Sequence, residues 1–125
     1  LATNTSIIAG GPFNSGILAT GATGPQTGNY NYVPATAEII ERVSRIEAIC
    51  REFDISLAAA ALQLPLAHKA VASVIPGLAS VASVNHALNW IETKSPAEFW
   101  NVLKESNLLA ADVPIPLFEN PHGDC

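Results

Sequence analysis

Twice in this chain a short apolar run ends abruptly in glycine and proline, and that repetition limits the folds open to it. Ile7-Ile8-Ala9 runs into Gly10-Gly11-Pro12-Phe13-Asn14-Ser15-Gly16, and Val71-Ala72-Ser73-Val74-Ile75 runs into Pro76-Gly77. An apolar, β-branched run of this length bounded by breakers reads as a buried strand of a parallel sheet. Glycine and proline at the carboxyl end of such a strand let the backbone come close to a ligand. The rest of the chain reads as helix that covers the two strands.

Thr36 is a good N-cap, with Glu38 and Glu41 in the first turn behind it. Ile39, Ile40, Val43, Ile46, Cys50 and Phe53 then recur at helical spacing, which predicts an amphipathic helix over residues 37–53. Glu38/Arg42, Glu41/Arg45 and Glu47/Arg51 form i,i+4 pairs on its solvated side. Cys50 lies on the apolar stripe and reads as core filler, with no cation or base beside it to stabilise a thiolate. Ser56 caps a second helix over 57–67, whose run Leu57-Ala58-Ala59-Ala60-Ala61-Leu62 is apolar all round and calls for burial on most sides. Pro65 ends or kinks it, and His68 falls at the following turn as an exposed or capping residue. Ser80 caps a helix bearing Val84, Leu88 and Ile91 on one face. Ser95-Pro96-Ala97-Glu98 has the pattern of a capping box and opens a last helix over 95–106, which carries Phe99, Trp100 and Leu103.

Residues 19–35 read as a long Gly/Thr/Asn/Pro-rich loop holding Tyr30, Tyr32 and Pro34, of a length that often binds or covers a ligand and otherwise is a surface excursion. Residues 107–125, with Pro114, Pro116 and Pro121, read as an extended tail. The order is β-α-α-β-α-α. Two strands do not make an independently stable sheet, and an eight-stranded α/β barrel takes about 250 residues. The chain is therefore expected to be a partial barrel, about the last quarter of one counted by strands.

At 125 residues the chain holds one domain at most. Its hydrophobic fraction of 49% and mean hydropathy of +0.28 exclude disorder and exceed what so short a chain buries alone. A net charge of −5, with six scattered Lys and Arg, argues against nucleic acid and against a membrane surface. Cys50 and Cys125, and His68, His86 and His122, lack the spacing of a metal site. A reduced, cytoplasmic setting is the expectation; no signal peptide is visible, and the apolar run 55–67 is too short and Pro-broken to span a bilayer. The chain starts with Leu1 and has no Met, so it is expected to be a piece of something longer.

Residues 7–16 resemble the seventh strand and cofactor loop of the aldo-keto reductases. Val74-Ile75-Pro76-Gly77, with a helix opening at Ser80, resembles the eighth strand and phosphate loop of that family, and the helical segment 57–68 also fits. The likeness covers most of residues 6–92, and Gly-Gly-Pro-Phe-Asn-Ser-Gly-Ile-Leu is most similar to the branch of L-fucose (D-threo-aldose) dehydrogenases and pyridoxal 4-dehydrogenase.

The resemblance implies a (β/α)8 TIM barrel that transfers a hydride between a nicotinamide cofactor and a sugar or another aldehyde or alcohol. The family's catalytic tyrosine, lysine, aspartate and histidine belong to the amino-terminal half of the barrel, and none maps here. It further implies that Gly11, Phe13, Asn14, Ser15 and Gly16 pass beneath the nicotinamide and pyrophosphate. Pro76, Gly77, Leu78, Ala79, Ser80 and Ser83 then correspond to the grip on the adenosine phosphate.

Three departures from the family pattern stand out. Gly10 occupies the place of an aromatic that stacks on the nicotinamide in many members, so that stacking is lost and the face is packed otherwise, with Phe13 as the candidate. Gly77, Ala79 and Ser83 stand where NADP-preferring members carry basic residues, which favours NAD over NADP. His86-Ala87 replaces the Glu-Asn pair that reads the adenine. Tyr30, Tyr32, Trp100 and Phe118 are candidates for a substrate rim, with helix packing as the competing role of Trp100 and the plain role of Trp90.

Two functions follow. In the first, the chain is the cofactor-binding part of an NAD-dependent enzyme, inactive without the amino-terminal barrel portion. In the second, it is a self-associating barrel fragment that binds a nucleotide or a partner without catalysis. An accompanying polypeptide bearing the tyrosine and lysine separates them.

Overall fold

A computed structural model describes residues 3–14, 16–22, 29–30 and 33–117, with the backbone alone at 29–30. In chain order the elements are β1 (Ile7–Gly10), α1 (Ile17–Thr20), β2 (Asn29–Tyr30), β3 (Val33–Pro34), α2 (Ala37–Glu52), α3 (Leu57–Gln63), a 3-10 turn (Leu64–Ala67), β4 (Val71–Ile75), α4 (Val81–Glu92) and α5 (Ala97–Glu105). Both expected strands form, and they pair parallel to one another. Ile8 faces Ser73, Ala9 faces Val74 and Gly10 faces Ile75, after one irregularity between Ile7 and Ile8. β2 and β3 form a separate antiparallel pair, so the expected loop 19–35 contains the end of α1 and a short ladder.

The helix starts follow the caps. Thr36, Ser56 and Ser80 each accept the N–H of the residue three places on, at Ile39, Ala59 and Ser83. Pro65 turns the end of α3 into the 3-10 segment, as its missing N–H demands. The stops rest on two residues in left-handed conformation, Asp54 (φ 54°) after α2 and Asn107 (φ 57°) after α5. Behind them Ile55 N–H returns to the Cys50 carbonyl and Leu108 N–H to the Leu103 carbonyl, which closes each helix end. Leu108 is buried and Ile115 packs on the same core, so the carboxyl-terminal segment is no extended tail up to residue 117; it folds back over α5. Arg42 and Arg45, expected to pair with Glu38 and Glu41, donate to the carbonyls of Leu108 and Ser106.

The core lies among the helices. Cys50, Ile55, Ala60, Phe99, Trp100, Leu103 and Leu108 form its larger cluster, and Ile17, Ala22 and Val43 a smaller one. No residue of β1 or β4 is fully buried; Ile7, Ile8 and Ile75 are 49%, 63% and 57% exposed. An apolar cavity of about 350 Å³, lined in part by Leu62, Leu66, Val74, Leu78, Val84 and Leu88, lies beside β4. Among the described residues no helix is long and apolar enough to cross a membrane.

Trp100 is 1% exposed, which removes it from any substrate rim. Its indole N–H donates to Ser95 Oγ at 3.0 Å, and Ser95 Oγ donates to Gln63 Oε1 at 3.1 Å. The expected capping box at Ser95 therefore does not form: the hydroxyl is committed to this buried chain, and α5 starts from Pro96 with no side-chain cap. Gln63 Nε2 in turn donates to the carbonyls of Trp90 (2.6 Å) and Thr93 (2.7 Å), the free carbonyls at the end of α4.

Two predictions follow from the core. Gln63→Leu removes the partners of two carbonyls and a hydroxyl, and is expected to lower stability by about 2–4 kcal/mol in urea denaturation; a loss under about 0.5 kcal/mol would mean that the network is idle. The Cys50 thiol is 2% exposed, and burial, reinforced by Glu47, pushes its pKa up to about 11. At pH 8 it stays protonated, so iodoacetamide should label the Cys50 peptide slowly in the native protein and readily in denaturant.

Candidate cofactor site

The pairing register decides where the two Gly/Pro turns sit. Gly10 is opposite Ile75 in neighbouring parallel strands, so Gly11-Pro12 and Pro76-Gly77 leave the same end of the sheet side by side. Neighbouring strands lie about 4.8 Å apart. In an open or closed parallel sheet, this carboxyl end is where ligands bind.

The first turn is built from consecutive reversals. Asn14 N–H donates to the Gly11 carbonyl at 3.0 Å, and both Gly16 and Leu18 N–H donate to the Phe13 carbonyl at 3.1 Å. Three residues take left-handed backbone, Gly11 (φ 62°), Asn14 (φ 47°) and Gly16 (φ 99°), a conformation that costs a residue with a Cβ about 1–2 kcal/mol. Glycine is thus required at 11 and 16 by conformation. Space does not require it, since an added Cβ at Gly10, Gly11, Gly16 or Gly77 meets no atom within 4 Å. That emptiness leaves the backbone open to approach from outside. Farther along, Ala22 N–H donates to Glu47 Oε2, and a Cβ on Gly21 (φ 83°) would collide with the same carboxylate, which pins the chain as it leaves α1.

At the second turn, Pro76 to Ala79 run without regular structure into α4. Ser80 and Ser83 cap reciprocally: Ser83 N–H donates to Ser80 Oγ, and the N–H groups of Ala79 and Ser80 donate to Ser83 Oγ. Both hydroxyls are thereby engaged in shaping the helix start. The N–H groups of Val81 and Ala82, in the first turn, lie beyond the reach of intrahelical acceptors. Between Lys69 and Lys94 there is no lysine or arginine, so no fixed cation flanks this turn in sequence.

Of the expected site residues, Gly11, Phe13, Asn14 and Gly16 fall on the first turn, Pro76, Gly77, Leu78, Ala79 and Ser80 on the second, and Ser83 in the first turn of α4. The parallel pair brings the two groups together. Ser15, Tyr32 and Phe118, and the side chain of Tyr30, lie outside the described residues. The Phe13 ring is half-buried and packs at 76° on Trp90, with ring centroids 5.6 Å apart. Trp90 in turn lies against His86 at 5.8 Å. Sequence reasoning missed the contact of Trp90 with the first turn and the hydrogen bonds of Gln63 to the end of α4. The available signal was Gln63 itself, a polar residue inside the apolar run 57–66. Among the described residues there is no His/Cys/Asp/Glu group able to hold a metal ion.

Comparison with known proteins gives the family of the chain. The sequence model described as Aldo/keto reductase family matches residues 1–108. The chain is 41% identical over 105 residues to a pyridoxal 4-dehydrogenase of Microbacterium luteolum, covering 84% of this chain and 30% of that protein. It is 37% identical over 105 residues to a D-threo-aldose 1-dehydrogenase of a Pseudomonas species, covering 84% of this chain and 32% of that one. The chain thus spans about a third of the length of these curated relatives. No solved structure matches significantly. A family model that covers most of the chain, together with two dehydrogenases of this similarity, establishes that the chain belongs to the aldo/keto reductase family, whose members are (β/α)8-barrel oxidoreductases.

Proposed function

We propose that this chain supplies the dinucleotide-binding loops of an NAD-dependent aldo-keto reductase that acts on an aldose or a related hydroxyl or aldehyde group. β1 and β4 serve as the seventh and eighth barrel strands, and a cytoplasmic setting goes with the reading. The observation that carries it is the parallel pair, regular from Ile8 onward, from which both Gly/Pro turns leave side by side.

The residues present fit such a cofactor. Glycines at 10, 11, 16 and 77 keep side-chain bulk away from a long, flat ligand. The N–H groups of Val81 and Ala82 at the start of α4 suit an anionic or ribose oxygen. A bound nicotinamide would supply the hydride acceptor or donor. This chain's part is to orient it: Gly11, Asn14, Ser15 and Gly16 frame the nicotinamide and pyrophosphate, with Phe13 fixing the turn, while residues 76–80 and Ser83 hold the adenosine end. The acid/base group that moves the substrate proton comes from the amino-terminal barrel portion, and the chain by itself is inactive.

NAD is preferred because a 2′-phosphate of charge near −2 would meet no guanidinium or ammonium at Gly77, Ala79 or Ser83. Calorimetric titration with NAD+ and NADP+ tests this directly. NAD+ should bind more tightly, and Ala79→Arg should move the ratio toward NADP+ by about tenfold, the worth of one charge-assisted hydrogen bond. Tighter NADP+ binding by the unaltered protein would contradict the preference.

The exposure of Ile7, Ile8, Ile75, Val81 and Leu88 favours a second reading, a self-associating module that binds a nucleotide without catalysis. Denaturing intact mass separates the two. A companion polypeptide of roughly 20 kDa, the remainder of a standard barrel, supports the enzyme. A single 13.1 kDa species that stays folded and associates supports the module.

A further inference from the structure

We propose that Trp90 is a positioning residue for the glycine turn after β1: its indole holds Phe13, and through Phe13 it fixes the Gly16 and Leu18 amides relative to the start of α4. The consequence for cofactor binding rests on the function proposed above, whereas the positioning itself does not.

Phe13 is the centre of its turn. Its carbonyl accepts both Gly16 N–H and Leu18 N–H at 3.1 Å, so a shift of Phe13 moves both donors. The turn around it is conformationally demanding, with Gly11, Asn14 and Gly16 all in left-handed backbone. Such a turn persists only when its surroundings over-determine it, and the paired strands beneath are too exposed to do so alone. The Phe13 ring meets Trp90 at 5.6 Å and 76°, the edge-to-face geometry that aromatic pairs prefer.

Trp90 is a firm support. His86, one turn earlier on α4, lies against its indole at 5.8 Å. Its carbonyl is held by Gln63 Nε2 at 2.6 Å, and Gln63 is tied through Ser95 to the buried Trp100. The glycine turn is thus moored to the helical core through the helix whose amino end carries the second turn. This also gives Phe13 a role in fixing the turn, beside its candidacy from the sequence for packing the nicotinamide face.

The test is amide hydrogen exchange on the 125-residue chain, read at Gly16 and Leu18, with Ile55 and Leu108 as core references. Trp90→Leu should speed exchange at Gly16 and Leu18 by about 3- to 10-fold, the worth of one aromatic pair, and leave Ile55 and Leu108 unchanged. Trp90→Phe should restore most of the protection. Phe13→Leu should reproduce the effect, and combining it with Trp90→Leu should add little, since the two rings act as one contact. Unchanged exchange at Gly16 and Leu18 in Trp90→Leu, or an equal rise at all four amides, would overturn the proposal. An NAD+ titration separates this inference from the functional reading. If the unaltered chain binds NAD+, Trp90→Leu should weaken it by a similar 3- to 10-fold factor, and unchanged affinity would overturn the consequence for cofactor binding, the positioning itself being decided by the exchange experiment. If the unaltered chain does not bind NAD+, the functional reading loses its support, and the exchange experiment still decides the role of Trp90.

Discussion

The Gln63 side-chain amide meets three groups at a place where none could be left alone. Its nitrogen donates to the Trp90 and Thr93 carbonyls at the end of α4, and its oxygen accepts from Ser95, which accepts in turn from Trp100. Gln63 and Ser95 are each 3% exposed, yet among the described residues no buried side-chain nitrogen or oxygen lacks a partner. A buried polar group without a partner costs about 1–3 kcal/mol, so this satisfied network specifies one relative placement of α3, α4 and α5. The start of α4, and with it the second Gly/Pro turn, inherits that placement.

Stability and the proposed function are divided between different parts of the chain. Helices α2, α3 and α5 bury the large side chains, and the segment after α5 closes over them. The strands hold the two turns together but bury nothing fully. A parallel sheet is ordinarily covered on both faces, and two strands alone are marginal. Ile8 and Ile75 stand exposed on this pair. In the proposed function the amino-terminal barrel portion covers them; in the alternative a second copy does.

Much of this was legible in the sequence because it rests on local rules. The strand spans, the caps at Thr36, Ser56 and Ser80, and the kink at Pro65 each follow from residue type and spacing. The turn residues were legible too, since glycine next to a β-branched run has few other uses. What escaped the sequence was non-local. Ser95 and Glu98 have the spacing of a capping box, but the box loses to a buried indole that sequence spacing does not reveal. Trp100 could stand at a rim or in the core until α2 and α3 were seen around it. The carboxyl-terminal segment looked extended because prolines dominate it, whereas Asn107 and Leu108 turn it back onto α5. The Phe13–Trp90 contact joins residues far apart in the chain and has no local signature.

In the proposed function two turns, far apart in sequence and adjacent in space, form one dinucleotide site. Backbone amide NMR of the protein during NAD+ addition tests it most directly. Concerted shifts are expected at Gly11, Asn14 and Gly16 and at Gly77, Val81 and Ala82, following one saturation curve, with the α2 and α5 amides still. Shifts confined to one turn, or centred elsewhere in the chain, would contradict it.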